Sequence, residues 1–445
     1  MKRRQRRTLI FCLCGMFYLC MFLNFNIDSL NNNKHTNGAF KRIHLLQSAK
    51  TSNISITTNR MYNQNPLFSK QICSEIGLRP VGQTKINTLL DFRKTGPFRF
   101  FKNYKNPCFY RNVTYLGGKE LKTPTLAIRC LPYFFIVGMP KSGTTDVWHG
   151  LEQHPGVAIR HGKEPMYFTR RRYPRGSGLG HFFLILFREN WSLDQYLDHF
   201  DTATNMIKST PSPDKWTDDD LYYFLITGEG TVDVSHDNDR WQEIPGNENC
   251  NEPRILNAHY LYHLNPNMRL IFMMRDPINR VYSDYLYESQ FFGYNKTVAD
   301  FHLAVLESIT QHMVCRKHYS ERGCAYNSSL ESFKARLRVG MYYVFLEDWY
   351  RVFPKDQVMV IKFEEYMRNR IEYLKEVFKF LKLRPLSVSE EQKQRKRSIS
   401  NTRSKEDRQI GDMSKKTRML LQEFYHPFNK RLSILLNDNK YMWGS

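Results

Sequence analysis

The sequence has few features that point to a metal site or to a repeated architecture. Its 445 residues include only 9 cysteines, and these form neither a C-x-x-C motif nor a cluster with histidine of the kind that holds zinc. No internal repeat is evident, which excludes a repeat architecture. The length would suit two or three average domains, or one large domain with appendages. We expect no metal site.

Long apolar runs are also scarce, and the run at residues 9–25 is not followed by a cleavage site. The first alanine is Ala39, so the small-x-small pattern of a cleaved signal peptide is missing. Basic residues precede the run, and its roughly seventeen residues reach about 26 Å as a helix, enough for a thin membrane. We predict a cytosolic tail at 1–8 and a single transmembrane signal anchor at 9–25, with the remainder lumenal. A cleaved signal peptide is the alternative.

The part of the chain after the anchor has the features of a lumenal protein. Residues 26–97 begin with a stretch rich in Asn, Ser, Thr and Lys and are predicted to form a stem, whereas 98–445 form the folded domain with its lead-in. Six cysteines follow the anchor, an even number that suits pairing in an oxidising compartment. Asn-x-Ser/Thr sequons, which are candidate glycosylation sites, occur at Asn53, Asn112, Asn190, Asn295 and Asn327.

The chain carries a formal net charge of +23, far more than the short tail supplies. This excess predicts acidic partners. A lumenal protein does not meet nucleic acid, so a sulfated polysaccharide and a polyanionic nucleotide are the better candidates. A solvated basic surface is the alternative explanation for much of the scattered lysine, and a homodimer is compatible with everything in the sequence.

The alternation of strand-like and helix-like runs predicts an α/β fold with a central parallel sheet flanked by helices. Short apolar strands are predicted at 132–137, 269–274 and 357–362. Apolar residues at helical spacing follow each of them, and these are expected to pack against the sheet.

A phosphate-binding loop is predicted at residues 138–145, Gly-Met-Pro-Lys-Ser-Gly-Thr-Thr, between the first strand and a helix. Glycines let a backbone wrap round an anion, amides at a helix start point towards it, and Lys141 adds a mobile positive charge. The loop nearly matches G-x-x-x-x-G-K-[ST], but Thr144 stands where the lysine of a nucleotide triphosphatase belongs. A plain strand-turn-helix is the alternative. The candidate anion ligands are Lys141, Ser142, Gly143, Thr144 and Thr145.

A second anion site is predicted after the strand at 269–274. Arg275 can form a bidentate hydrogen bond with a phosphate, Pro277 is suited to a first helical turn, and the Ser283 hydroxyl lies about two turns further on. An arginine at a strand end is often only a surface ion pair. Two anchors on neighbouring strands nevertheless suit a nucleotide with two separate anionic groups, whereas an ATP user needs one.

A general base is predicted at Glu164, in the segment His-Gly-Lys-Glu-Pro that follows the loop by one helix. A carboxylate in a basic, partly enclosed cleft can remove a proton while Lys163 beside it stabilises developing charge. Lys163 is the candidate substrate-binding residue. The alternative is a surface Lys-Glu pair before a proline.

Together these motifs resemble those of the Golgi carbohydrate sulfotransferases, which use 3′-phosphoadenosine 5′-phosphosulfate (PAPS). The displaced lysine resembles their 5′-phosphosulfate loop, Arg275 to Tyr285 resembles their 3′-phosphate motif, and Lys163-Glu164-Pro165 resembles the segment that carries their catalytic glutamate. Dispersed similarity over about residues 105–440 includes Glu406-Asp407-Arg408 and the motif at 424–429. The resemblance implies a P-loop-like sulfotransferase fold and a type II Golgi membrane enzyme.

The resemblance further implies transfer to the 6-hydroxyl of N-acetylgalactosamine (GalNAc) 4-sulfate in chondroitin or dermatan sulfate, without a metal, to give the disulfated units of chondroitin sulfate E. It implies disulfides Cys108–Cys130 and Cys315–Cys324, leaving Cys73 and Cys250 unassigned. In the segment Gly-Glu-Gly-Thr-Val-Asp at 228–233, the run of Ala and Ser expected after Gly-Glu is missing, which bears on the acceptor more than on the donor.

Three other functions remain open from the sequence. One is sulfation of a different position, such as heparan sulfate 3-O or chondroitin 4-O; another is a P-loop kinase, disfavoured by Thr144 and by the second anion site. The third is a membrane-tethered protein that binds sulfated glycans by charge alone. The basic segment at residues 393–403 either closes over the donor or forms a solvated run of charge.

Overall fold

The computed structural model describes residues 98–173, 191–217, 220–238, 240–330 and 332–444. The predicted tail, anchor and stem (1–97) therefore lie outside the described residues. Within the described ranges, no helix has both the length and the apolar character needed to cross a bilayer.

The strands of the described residues are named in chain order. They are β1 (Cys108–Leu116), β2 (Lys119–Cys130), β3 (Phe134–Gly138), β4 (Pro211–Thr217), β5 (Asp220–Tyr223), β6 (Gly228–Glu229), β7 (Arg269–Met274) and β8 (Val358–Lys362).

The α-helices are named in the same way. They are α1 (Thr144–Glu152), α2 (Leu193–Asp198), α3 (Asp201–Ser209), α4 (Asn257–Leu264), α5 (Pro277–Phe292), α6 (Val298–Arg316), α7 (Glu321–Ala325), α8 (Tyr342–Val352), α9 (Phe363–Arg368), α10 (Arg370–Phe380), α11 (Val388–Lys396), α12 (Lys405–Gln409) and α13 (Lys415–Leu436). A π-helical turn covers Tyr167–Arg171.

The centre of the fold is a parallel sheet with strand order β6-β3-β7-β8. It confirms the predicted central parallel sheet flanked by helices. The strand predicted at 269–274 is β7, and β8 is one residue shorter than predicted. Strand β3 begins two residues later than the predicted 132, because Pro132 has no amide hydrogen to donate to a neighbouring strand.

Both faces of the sheet are covered, which is why its strands read as continuous apolar runs. Successive side chains of β3 point to opposite faces: Phe134 and Ile136 join the core beneath α1 and α10, whereas Phe135 and Val137 join the core beneath α5, α8 and α13. The apolar spacing predicted for the helices therefore packs them onto the sheet.

Strands β1 and β2 form an antiparallel hairpin ahead of the sheet. A disulfide joins Cys108 and Cys130 at its open end, and Asp194 of α2 accepts hydrogen bonds from Arg111 Nε at 2.6 Å and from the Thr114 amide at 2.9 Å. The lead-in is thus attached to the main domain by polar contacts as well as by its chain connection.

Candidate active site

The carboxyl ends of β3 and β7 open into one cavity of about 680 Å³. A volume of this size suits a small-molecule site. Of the residues predicted for donor binding and catalysis, those that line it are Lys141, Gly143, Thr144, Thr145, Glu164, Arg275 and Ser283. Ser142 is fully buried beneath the loop, and its hydroxyl lies 3.5 Å from the Pro140 carbonyl.

The loop at 138–145 connects β3 directly to α1, as the sequence predicts. Gly143 precedes the helix with φ of 82°, a conformation that glycine adopts at little cost. A Cβ there would lie 2.7 Å from the Phe363 ring, so the close approach of α9 also requires glycine. The first amides of α1 face the cavity end of the helix, where an anion is stabilised by the helix dipole.

Lys141 occupies the centre of this loop in the left-handed region, with φ of 62°. Its Nζ lies 3.4 Å from the centroid of the Tyr287 ring, a cation–π contact. Burial lowers the pKa of the Lys141 ammonium, while the charges of Asp284 and Glu288 act in the opposite direction. A non-glycine residue held at positive φ is characteristic of functional sites.

The second anion site follows β7 and lies at the N-terminus of α5. Asp276 caps the helix by accepting a hydrogen bond from the Ile278 amide at 3.0 Å, and Pro277 occupies the first turn. Arg275 Nη1 donates to the Lys141 carbonyl at 3.1 Å, which ties the two predicted anion sites together. Ser283 lies two turns into α5 on the cavity wall.

Glu164 lines the same cavity as residues of α5 and is also at positive φ, 64°. Its carboxylate forms an ion pair with Lys163, and 31% of its side chain is exposed compared with 13% for Lys163. Glu164 lines the cavity, whereas Lys163 supports it from outside the lining. The structure thus places the predicted base and the predicted donor ligands around one space.

A buried group that the sequence did not identify supports the Glu164 turn. Glu229, at the end of β6, is fully buried and accepts hydrogen bonds from Tyr196 Oη at 2.6 Å and from Thr231 Oγ1. Thr231 Oγ1 in turn accepts the Met166 amide at 3.3 Å. Burial raises the pKa of Glu229 to about 8, although both hydroxyl hydrogen bonds lower it. In the sequence, the one indication of this group was the unexpected composition of the segment at 228–233.

The neighbouring Gly230 packs against the other side of the same turn. A Cβ at position 230 would lie 3.1 Å from Lys163 Cγ and 3.0 Å from the Trp148 ring. The absence of a side chain lets the Lys163 stem lie flat on the backbone, so residues 229–231 hold the segment that presents Glu164.

Charged pairs line the part of the cavity beyond Glu164. Arg170, on the π-helical turn, pairs with Asp233 at 2.8 Å and with Asp237. Burial raises the pKa of Asp233, with Arg170 opposing it and Asp237 reinforcing it. Sequence reasoning missed this group, because its members are brought together from a turn and a loop 63 or more positions apart.

The basic segment at 393–403 folds over the start of α1. Arg397 forms a bidentate ion pair with Asp146, in which Nη1 lies 2.9 Å from Oδ1 and Nη2 lies 2.8 Å from Oδ2. Asn401 Nδ2 donates to Thr145 Oγ1 at 3.1 Å, and Ser400 Oγ lies 2.8 Å from His149 Nδ1. Residues 399–403 line the cavity, so the segment covers the phosphate loop.

Two disulfides occur where the resemblance implied them. Cys108 bonds to Cys130, and Cys315 bonds to Cys324 across the connection between α6 and α7. Cys250 is disulfide-bonded as well, and Cys73 lies outside the described residues. Of the sequons, Asn112 and Asn295 are exposed and Asn327 is half-buried; Asn53 and Asn190 lie outside the described residues.

Comparison with known proteins agrees with this geometry. Residues 131–431 match the sulfotransferase domain family. Carbohydrate sulfotransferase 15 of Homo sapiens is 37% identical over 339 residues, which cover 75% of this chain and 58% of that protein. The chain therefore spans less than two thirds of that relative's length. The corresponding Nototodarus sloanii sequence is 37% identical over 137 residues, covering 31% of this chain and 86% of that sequence.

Solved structures of sulfotransferases are also similar. A sulfotransferase from Alicyclobacillus acidocaldarius is 21% identical and covers 69% of this chain and 96% of its own, with a TM-score of 0.43. The match over residues 131–431 establishes that the chain belongs to the sulfotransferase family.

Proposed function

We propose that the protein is a PAPS-dependent carbohydrate sulfotransferase that transfers sulfate to the 6-hydroxyl of GalNAc 4-sulfate in chondroitin or dermatan sulfate. The observation that carries the proposal is that one cavity brings together Lys141, Arg275, Ser283 and Glu164. The identity to carbohydrate sulfotransferase 15 supports a carbohydrate acceptor. We further propose that the enzyme is a single-pass type II protein of the Golgi membrane with its folded domain in the lumen.

The residues present fit a donor with two separate anionic groups. The amides and hydroxyls of Thr144 and Thr145 would hold the 5′-phosphate, and Arg275 with Ser283 would hold the 3′-phosphate. The bond between Arg275 and the Lys141 carbonyl fixes the spacing of these two anchors. When bound, PAPS supplies a sulfuryl group activated by its phosphate leaving group.

The chain's own residues account for the transfer. Glu164 takes the proton of the acceptor hydroxyl as that oxygen bonds to sulfur and the bond from sulfur to the phosphate oxygen breaks. Lys141 stabilises the negative charge on the departing phosphate oxygen. In-line placement of the two reacting groups provides most of the remaining acceleration. Lys163 orients Glu164 through its ion pair. No metal is required.

The experiment incubates the full-length chain with labelled PAPS and separate chondroitin 4-sulfate, dermatan sulfate, unsulfated chondroitin and heparan sulfate chains. Digestion of the products to disaccharides then identifies the sulfated position. We expect label on the 6-position of GalNAc 4-sulfate. Label on heparan 3-O or chondroitin 4-O would overturn the acceptor assignment, and glycan binding without any transfer would identify a non-catalytic binder.

A further inference from the structure

A group of exposed aromatic side chains lines the cavity beyond the reaction centre. Tyr287 is 42% exposed, Phe291 is 40% exposed and Phe333 is 51% exposed. The Tyr287 and Phe291 rings lie 5.4 Å apart, and the Phe292 and Phe333 rings lie 5.1 Å apart. All four rings line the cavity that holds Lys141 and Glu164. Aromatic side chains that line a cavity are typical of a ligand-binding site.

Helix α5 gives these rings a defined position relative to the donor. Ser283, Tyr287 and Phe291 are spaced four residues apart, so they lie on one face of the helix at intervals of about 6 Å. Ser283 lies in the predicted 3′-phosphate site, and Tyr287 contacts Lys141. Phe291 is therefore the next position along the same face, one helical turn further from Ser283 than Tyr287 is.

We propose that Tyr287, Phe291 and Phe333 form a platform that binds the pyranose rings of the acceptor glycan. The proposal rests on the proposed function, since it assigns the acceptor side of the same site. A pyranose presents a face of C–H groups that stacks on an aromatic ring, while its hydroxyls and acidic groups project from the edge. The platform thus binds the sugar ring itself, and the acidic groups of the glycan project away from the stacked face.

Polar side chains of the right kind surround the rings. Arg336 pairs with Asp284 at 2.6 Å and with Glu288 at 2.7 Å, and these three residues line the cavity beside Tyr287. Carboxylates and guanidinium groups held in fixed orientations accept from and donate to sugar hydroxyls. A mixed aromatic and ionic wall fits a saccharide better than it fits a purely apolar ligand.

Two other occupants are conceivable for the same rings. The first is the adenine ring of the donor, which would place the aromatic surface on the donor side. The second is the chain's own apolar run at residues 182–187, Phe-Phe-Leu-Ile-Leu-Phe, which lies outside the described residues. Each occupant gives a different response to mutation.

The experiment measures steady-state kinetics of the full-length Phe291→Ala and Phe333→Ala variants with PAPS and chondroitin 4-sulfate chains. Phe291→Leu and Phe291→Tyr separate loss of apolar bulk from loss of the ring. Tyr110→Ala is the matched control, because Tyr110 is 61% exposed and lies outside the cavity lining. Binding of chondroitin 4-sulfate in the presence of adenosine 3′,5′-bisphosphate (PAP) is measured by titration calorimetry, independently of turnover.

We expect each alanine variant to raise the acceptor KM and the chondroitin Kd roughly tenfold, because each variant loses one stacked ring. The KM for PAPS should not change. Phe291→Tyr should match the wild type and Phe291→Leu should resemble Phe291→Ala. A rise in the KM for PAPS would assign the rings to adenine. A lower unfolding temperature with unchanged acceptor binding would assign them to the protein's own chain. Either result overturns the platform.

Failure of the platform is distinguishable from failure of the proposed function. If the wild-type chain transfers no sulfate to any glycan but the alanine variants bind chondroitin with a higher Kd than the wild type, the platform is supported and the proposed transfer reaction is wrong. If the wild type transfers sulfate and the variants bind chondroitin normally, the transfer reaction stands and the platform is wrong.

Discussion

Arg275 Nη1 donates a hydrogen bond of 3.1 Å to the carbonyl of Lys141. The two residues follow neighbouring parallel strands, β3 and β7, so the bond joins the phosphate loop to the start of α5. Lys141 is held at positive φ; its carbonyl accepts the hydrogen bond from Arg275, and its side chain contacts Tyr287. The predicted 5′ and 3′ anion sites are thus parts of one connected structure.

Replacement of Arg275 should therefore weaken donor binding more than a single lost contact at the surface would. For Arg275→Gln we expect the Kd of PAP to rise roughly 10- to 100-fold, the range for loss of a hydrogen bond to a charged group. Titration calorimetry on the full-length chain measures it. Arg269→Gln, at the opposite end of β7, is the matched control and should leave the Kd unchanged. An unaltered Kd in Arg275→Gln would remove Arg275 from the donor site.

The Arg397–Asp146 ion pair should control the segment that covers the phosphate loop. Asp146 is 1% exposed. Burial alone would raise the pKa of its carboxyl, but hydrogen bonds from Arg397, Tyr366 and the Ser400 amide lower it. Arg397→Gln leaves this carboxylate without its two-armed partner, and we expect a stability loss of about 3 kcal/mol and a higher KM for PAPS.

Chemical denaturation and kinetics with varied PAPS test this prediction. Arg384→Gln is the control, because Arg384 forms a similar two-armed pair with Glu390 on an exposed surface, where such pairs contribute up to about 1 kcal/mol. Equal effects of the two substitutions would show that residues 399–403 do not depend on Asp146.

Thr231 should position Glu164 without touching the substrate. Its hydroxyl accepts the Met166 amide and donates to Glu229. Thr231→Val keeps the shape but removes both bonds, so we expect kcat to fall about tenfold through misplacement of the base, with the KM for PAPS unchanged. Thr231→Ser should restore activity. A parallel fall in kcat and in PAPS affinity would instead indicate general damage to the fold.

Glu229 should make the protein less stable as the pH rises. Burial raises the pKa of Glu229 from its ordinary value of 4.5 to about 8, so between these values the folded protein holds a proton that the unfolded chain has released. Stability therefore falls with increasing pH across this window. Glu229→Gln keeps the acceptor oxygen for Tyr196 or Thr231 and cannot ionise.

Thermal unfolding at pH 5 and pH 8 checks this effect. The fall in Tm from pH 5 to pH 8 should be smaller in Glu229→Gln than in the wild type. Other buried acids are present in both proteins. Because the charge of Asp233 helps to raise the pKa of Glu229, the difference reports Glu229 together with its repulsion of Asp233. An identical fall in both proteins would mean that Glu229 is already ionised at pH 5.

The parts of the fold predicted from the sequence are those that local patterns determine. Strands β3 and β7 are buried on both faces, so their sequences are unbroken apolar runs. The residues that follow them, beginning at Gly138 and at Arg275, are of the types that favour a turn and the start of a helix. Since parallel strands end at the same edge of the sheet, the two anion sites could be expected to be neighbours.

The supporting groups could not be predicted in the same way. Glu229 reaches Tyr196 across 33 positions, and Arg397 reaches Asp146 across 251. Nothing in the spacing of either pair distinguishes it from ordinary surface polar residues. Their roles depend on burial and on which elements the sheet brings together, and both follow from tertiary packing rather than from local propensity.

Glu164 is proposed as the base in a cavity whose donor site is formed by other residues. The most direct test measures sulfate transfer from PAPS and PAP binding on the same preparation of Glu164→Gln. We predict that transfer falls by roughly 10²- to 10⁴-fold, the contribution of a general base, while the Kd of PAP stays at the wild-type value. Transfer at the wild-type rate with normal PAP binding would contradict the account.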